Sequence, residues 1–415
     1  MNIYAFIILA AIIADYALSL ISDILNLDHL SPDLPEEFQD VFDADRYRKS
    51  QEYTRVTTRF GILTSTLNLA ALLIFWFSGG FNWLDQTVRS WSLHPIWNGL
   101  LFIGLLMLAR TILSLPFSIY STFVIEEKFG FNKTTIKTFI LDLIKRAALS
   151  IVLGGPTLAG ILALFMAAGP EAWLYCWAVV TLFTLFIQFI APRWILPLFN
   201  KFIPLEDGEL RNRILEYADK VDYSLSGVFV MDGSKRSSKS NAFFTGFGKN
   251  KRIALFDTLI ERHTVDELVA VLAHEIGHYK KKHILIGMAI GILHAGVLFY
   301  LLSLFLTQRE LFDAFFMEEM SVYAGILFFG MLYAPVEMIL AVFMNMLSRR
   351  HEVQADRFAA GTTGKIRPFI QALKKLSAHN LSNLTPHPIF VFLNYSHPPV
   401  LQRIRMLRAM ERGQA

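Results

Sequence analysis

Seven long apolar runs constrain this 415-residue chain more than any other feature. They lie near residues 3 to 22, 60 to 79, 97 to 118, 148 to 168, 173 to 195, 283 to 306 and 322 to 346. Each has about the 20 residues that carry a helix across a hydrocarbon core. Backbone donors and acceptors find no partners in lipid, so such runs resolve into helices whose hydrogen bonds close internally. With 54% of residues hydrophobic and only 18% charged, the chain lies outside the balance of soluble domains. The expected fold class is a mainly α membrane protein with seven transmembrane helices and a cytoplasmic α+β domain. Two regions follow from the spacing: an N-terminal five-helix membrane region, 1–195, and a second region, 196–415, that joins polar segments to the helices at about 283–306 and 322–346.

Basic residues orient the bundle. The connections 80 to 96, 169 to 172 and 307 to 321 contain only Arg89 and Arg309. The opposite connections carry Arg46, Arg48, Lys49, Arg55 and Arg59, then Lys128, Lys133, Lys137, Lys145 and Arg146, then the basic stretch 193 to 282 and the C-terminal tail. Basic loops stay cytoplasmic, so an odd number of spans places the N-terminus outside and the C-terminus inside. The apolar N-terminus has neither a basic start nor a small-residue cleavage site, and is expected to be a retained span. This topology explains the net charge of +4, which gives no support to a nucleic-acid partner. The lone cysteine, Cys176, excludes a disulfide framework and reads as packing.

Some spans contain groups that lipid does not solvate: Asp15, Asn68, Arg110, His294 and Glu337. They are expected to face inward, either pairing across helix contacts or lining a water-filled cavity. Residues 24 to 59 are polar and read as a loop with at most one amphipathic helix. Beyond the fifth span, Glu206 to Lys220 reads as a helix. Gly227 to Met231, Asn241 to Gly246 and Arg252 to Phe256 read as strands of a small sheet.

After that sheet, residues 271 to 283 read Val-Leu-Ala-His-Glu-Ile-Gly-His-Tyr-Lys-Lys-Lys-His. His274, Glu275 and His278 form an H-E-x-x-H, which chance supplies in roughly one chain in a hundred of this size. The context is that of a helix: Thr264 and Glu267 make a capping box, and Val265, Leu268, Val269, Leu272 and Ile276 share an apolar face. Four residues is about one turn, so both imidazoles can bind one tetrahedral zinc per chain, with Glu275 beside the open position. The chemistry is hydrolytic. Glu275 takes a proton from the attacking water and returns it to the leaving amine.

A third protein ligand has to come from elsewhere. In Ser-Arg-Arg-His-Glu-Val-Gln-Ala-Asp-Arg, residues 348 to 357, Glu352 is the expected ligand and His351 the competing one. Asp356, one turn on, can accept a hydrogen bond from the far nitrogen of a ligating histidine. His274 lies nine residues before the sixth span and Glu352 six after the seventh. Unbroken helices would hang them about 14 Å and 9 Å from the membrane boundary. His397 and Arg403 are candidate donors to the tetrahedral oxyanion, the alternative being a capped loop and a surface helix. The strand from Ser240 to Phe247 can be a buried core strand or a free edge for an extended substrate. On an edge, Asn241 would hold a substrate carbonyl, with Ala242 and Phe243 pairing after it.

The combined motifs resemble one family, the integral-membrane zinc metalloproteases known as type I CAAX prenyl proteases. The similarity runs through Ser50-Gln-Glu-Tyr53, Glu126-Glu-Lys-Phe-Gly-Phe-Asn-Lys-Thr-Thr135 and Ser240-Asn-Ala-Phe-Phe-Thr-Gly-Phe247. It continues through His274-Glu-Ile-Gly-His278, Glu352-Val-Gln-Ala-Asp356, Asn380-Leu-Ser-Asn-Leu384 and Ser396-His-Pro-Pro399. The resemblance implies seven helices around an intramembrane chamber, closed on the cytoplasmic side by a zinc metalloprotease domain. It implies His274, His278 and Glu352 as metal ligands, Glu275 as base, and substrate or transition-state roles for Asn241, His397 and Arg403. Eukaryotic members remove the last three residues after a prenylated cysteine.

The expected function is therefore a membrane-embedded zinc endopeptidase. Its partners are a peptide or protein substrate, prenylated in the family pattern, and membrane lipid. The tail Arg-Gly-Gln-Ala departs from the family in lacking a retrieval signal, which points to a bacterial inner membrane. That departure keeps open a quality-control endopeptidase with no prenyl requirement. A non-catalytic scaffold or transporter with structural zinc is the remote alternative, set against the presence of Glu275 at an open site.

Overall fold

The computed structural model describes residues 1–225, 227–245 and 252–413, with 243–245 described by their backbone. All seven expected spans are helices long and apolar enough to cross a membrane. The first five are α1 (Ile3–Asp28), α2 (Ala44–Phe77), α3 (Pro95–Glu126), α4 (Ile136–Ala167) and α5 (Gly169–Phe199). A four-stranded sheet and one helix follow: β1 (Phe202–Pro204), α6 (Glu209–Lys220), β2 (Gly227–Met231), β3 (Ala242–Thr245) and β4 (Arg252–Phe256). The chain then forms α7 (Val265–Lys280), the spans α8 (His283–Phe305) and α9 (Val322–Thr363), and the closing helices α10 (Ile366–His379) and α11 (Val400–Glu411).

The stretch 24 to 59, expected as a polar loop with room for one amphipathic helix, belongs largely to helices. α1 runs on to Asp28, and α2 starts at Ala44 behind an Asp43 cap whose carboxylate accepts from the Arg46 N–H. Its charged first turns lie beyond the apolar run, so hydropathy hid a helix that periodicity could have shown. The sheet order is β1-β2-β4-β3, with β2 and β4 parallel and both outer pairs antiparallel. β1 was missed because three residues carry no readable alternation.

Successive spans pack side by side. α1 contacts α2, α3 contacts α4, α4 contacts α5, α5 contacts α8, α8 contacts α9, and α9 returns to α1. A short helix, Gly80–Ser90, bridges α2 and α3. Burial is confined to the two ends of this ring. In α2 the buried residues are Tyr47, Ser50 and Gln51 at one end and Trp76 at the other. In α9 burial stops at Tyr333 and resumes at Glu352. One core, around Trp76, Phe81, Phe102, Phe315 and Phe328, closes the end away from the sheet, and the other fills the polar domain. The spans are thus buried at both ends and open along their middles.

The mid-span polar groups divide accordingly. His294 Nε2 lies 3.3 Å from Glu337 and within reach of the Tyr333 hydroxyl. The side chains of Asp15, Asn68 and Arg110 are exposed and make no hydrogen bond or ion pair among the described residues. Cys176 is buried and free, as packing requires.

α10 is tied to the start of α2 by Arg46, which donates to His379 Nδ1 at 2.8 Å. Burial, reinforced by Arg46 and Arg262, holds His379 down to about 4. In the unfolded chain the ring titrates near about 6.5, so between these values the unfolded state binds the extra proton. This contribution to stability is complete above the unfolded value and is lost as pH falls toward the folded one. Thermal unfolding of the detergent-purified protein should therefore weaken from pH 7 to pH 5, and a His379→Gln protein should lose less over the same interval. An identical loss in both would remove His379 from the explanation.

Candidate active site

α7 is the central helix of the polar domain, and its placement starts with its cap. Thr264 Oγ1 accepts from the Glu267 N–H while the Glu267 carboxylate accepts from the Thr264 N–H, the reciprocal pair expected from the sequence. Lys375 holds the same carboxylate from α10. Burial covers more than the expected apolar face: Ala270, Val271 and Ala273 are buried along with Leu268, Val269, Leu272 and Ile276. The helix is wrapped by α6, α9 and α10, which leaves Glu275 and His278 partly open.

α7 does not run on into α8. It ends at Lys280, Lys282 takes a left-handed conformation at φ 61°, and His283 begins the next helix. The expected unbroken rise of about 14 Å from membrane to His274 therefore does not apply. α9, by contrast, continues without a break from the membrane through Glu352 and Asp356.

His274, His278 and Glu352 converge, their ligand atoms all lying within 4.8 Å of one another. His274 Nε2 is 3.2 Å from His278 Nε2 and 3.3 Å from Glu352 Oε2, and His278 Nε2 is 3.1 Å from Glu352 Oε1. Tetrahedral bonds of about 2.0–2.1 Å place ligand atoms about 3.3–3.4 Å apart, so the cluster has the dimensions of a zinc-sized site. Glu352 Oε2 is buried and, apart from the approach of His274 Nε2 at 3.3 Å, has no hydrogen-bond partner among the described residues. Such an oxygen is costly unless a cation satisfies it. Glu352 and Asp356 against the guanidinium of Arg403 leave one net negative charge, and Glu275 adds a second when ionised, so the site favours a cation.

Electrostatics favour a positive charge here. Burial opposes protonation of His274, but hydrogen bonds to Asp356 and Glu352 outweigh it and hold the ring up at about 9. His274 Nδ1 lies 2.8 Å from Asp356 Oδ1, so its proton faces the carboxylate and Nε2 faces the cluster. Arg403 donates from Nε and Nη2 to the two oxygens of Asp356 at 2.8 and 2.6 Å. Its Nη2 also lies 3.5 Å from His274 Nδ1, and its Nη1 lies 3.8 Å from Glu352. His397 is exposed, with Nε2 3.3 Å from Glu352 Oε1. Glu275 accepts no hydrogen bond among the described residues, and burial pushes its carboxyl up from the ordinary value. His351 is not in the converging group and stacks on His283 with ring centroids 3.9 Å apart.

β3 packs against α7 and pairs with β4 alone, so its other side is an edge among the described residues. Asn380 sets its start: Asn380 Oδ1 accepts from the Ser240 N–H at 3.1 Å and Nδ2 donates to the Ser240 carbonyl at 3.2 Å. Asn241 is exposed, and its Oδ1 accepts from the Ala242 N–H. Ala242 is partly buried. Phe243 is placed by its backbone in β3, and Gly246 and Phe247 of the expected strand lie outside the described residues.

The lead into β3 is anchored on the membrane helices. Lys239 pairs with Glu126 at 2.9 Å and donates to the Tyr53 hydroxyl at 2.7 Å, and that hydroxyl donates to Glu126. Phe129 and Phe131 pack edge-on against Tyr53. A second strut joins Arg236 to Asp142 of α4 through two bonds of 2.7 and 2.9 Å. The motifs around Tyr53 and Glu126 thus meet the segment that precedes the strand.

Gly277 went unread in the sequence beyond its place in the motif. A Cβ there would lie 3.1 Å from both Cα and O of Ala355, so the absence of a side chain lets α7 touch the backbone of α9 between the ligands. A Gly277→Ala protein is expected to lose about 1–3 kcal/mol from overpacking and to bind metal more weakly as His278 moves from Glu352. Thermal unfolding with and without added zinc measures both effects.

Residues 23–201 match the family described as CAAX prenyl protease N-terminal, five membrane helices, and residues 204–411 match peptidase family M48. The chain is 36% identical over 401 residues to CAAX prenyl protease 1 of Saccharomyces cerevisiae, covering 90% of this chain and 88% of that one. It is 32% identical over 433 residues to the CAAX prenyl protease 1 homolog of Homo sapiens, covering 91% and 89%. Its fold is similar to the crystal structure of S. mikatae Ste24p, with a TM-score of 0.93, 35% identity, and 98% and 99% of the two chains covered. These relatives are eukaryotic, so none of them shares the bacterial membrane expected from the tail.

Proposed function

Because the chain belongs to peptidase family M48 and carries the membrane region of the CAAX prenyl proteases, we propose that it cleaves peptide bonds near a prenylated CAAX-type C-terminus. It is a multi-pass integral membrane metalloendopeptidase. The observation that carries the reading is the cluster of His274, His278 and Glu352, with Glu275 beside it and without a hydrogen bond among the described residues. The metal is zinc, one per chain, held by those three side chains. When bound, it supplies Lewis acidity to a water and to the scissile carbonyl.

The chain's own residues do the rest. Glu275, with no hydrogen bond to satisfy among the described residues, accepts a proton from the attacking water and passes it to the leaving amine. Asp356 fixes the His274 tautomer, and Arg403, whose strongest bonds go to Asp356, holds that carboxylate in place. His397, on the open side of the cluster, donates to the developing oxyanion. The edge of β3 aligns an extended substrate through the backbone of Ala242 and Phe243, with Asn241 bonding a substrate carbonyl. The basic connections support a cytoplasmic site and C-terminus and an outside N-terminus.

The test is mass spectrometry of a farnesylated CAAX peptide incubated with detergent-purified protein, beside the same peptide unprenylated, with metal content measured on the same sample. Cleavage directly after the prenyl-cysteine, with about one zinc per chain, is the expected result. Equal cleavage of both peptides would overturn the prenyl requirement and favour a quality-control endopeptidase.

A further inference from the structure

The two histidines of the cluster have different supports. His274 turns Nδ1 to the Asp356 carboxylate, whereas His278 turns Nδ1 to another imidazole: its Nδ1 lies 3.0 Å from His283 Nδ1. One of those two nitrogens has to donate and the other accept. The far side of His283 decides which. His283 Nε2 is 2.9 Å from Gln354 Oε1, an acceptor only, so the His283 proton sits on Nε2 and its Nδ1 offers a lone pair. His278 then donates from Nδ1, and its Nε2 lone pair is left facing His274 and Glu352. His351 stacks flat on His283, with an interplanar angle of 9°, and fixes the ring between its two partners.

We infer that His283, locked by Gln354 and His351, is a positioning residue that sets the tautomer of His278 and so its ability to bind metal. This rests on the reading of His274, His278 and Glu352 as the ligands. α9 then supplies both supports as well as Glu352: Asp356 acts on His274 directly, and Gln354 acts on His278 through His283. His283 is also the first residue of α8 and is buried, so the proton on one ligand is assigned by the seating of a membrane span. The left-handed Lys282 supplies the turn that brings the ring back onto α7.

Zinc affinity of the metal-stripped, full-length protein in detergent, measured by competition with a fluorescent chelator, tests this. His283→Leu removes the acceptor and is expected to weaken zinc binding about 10- to 100-fold. His283→Asn, whose amide oxygen can occupy the position of Nδ1, is expected to stay within about threefold of the wild type. Gln354→Leu keeps both imidazoles, removes the group that polarises them, and is expected to weaken binding in the same direction. His278→Ala is the control for the ligand reading: unchanged affinity there would overturn that reading itself. With His278→Ala defective, equal affinities for His283→Leu and His283→Asn, whether both normal or both weak, would show that the ring only fills space.

Discussion

Peptide hydrolysis by a Glu275→Gln protein is expected to fall by about a thousandfold, within the range that general acid–base catalysis supplies. Zinc content should not change, because Glu275 is not among the three groups that converge. The amide keeps the size of the side chain but cannot accept a proton at neutral pH. Glu275 makes no hydrogen bond among the described residues, so the substitution breaks no structural contact that they show. Rates on the farnesylated peptide, with metal measured in the same preparation, decide the matter. Retained activity would remove Glu275 as the base, and loss of metal together with activity would make it a structural part of the site.

Arg403→Leu is expected to be the most destabilising single change in the polar domain, at about 3–5 kcal/mol. Arg403 is nearly buried, and its partner Asp356 is fully buried, with side-chain exposures of 12% and 0%. Removing one member of such a pair strands the other charge without solvent. The stranded carboxylate is also the one that orients His274, so metal affinity should fall as well. Unfolding of Arg403→Leu, Asp356→Asn and the double variant separates the terms. If the pair is the cause, the double variant is more stable than the two single losses added together. Simple additivity would place the effect elsewhere in the packing of α11.

The H-E-x-x-H motif of the candidate site was legible because it is local. His274, Glu275 and His278 are one turn apart on a helix whose cap is also written nearby, in Thr264 and Glu267. Glu352 and Asp356 are likewise one turn apart on α9, so their shared face follows from 3.6 residues per turn. The supports were not legible. The bonds from Asn380 to Ser240 and from Lys239 to Tyr53 join residues 140 and 186 positions apart, and nothing in their neighbourhoods names the partner. His283 was in plain view next to the motif, yet its role depends on a break at Lys282 that a run of three lysines does not announce.

The sequence by itself determined the number of spans, their order, and the residue types able to hold a cation and move a proton. These are consequences of hydropathy and helical period, which act over a few turns and need no knowledge of the rest of the chain. Tertiary structure alone decided that the spans close into a ring buried only at its ends. It also decided that β3 is an edge among the described residues and that His278, as well as His274, has a hydrogen-bonded support of its own. Those features depend on which distant segments meet, and directional bonds between them are fixed only when long loops close and both partners leave water together.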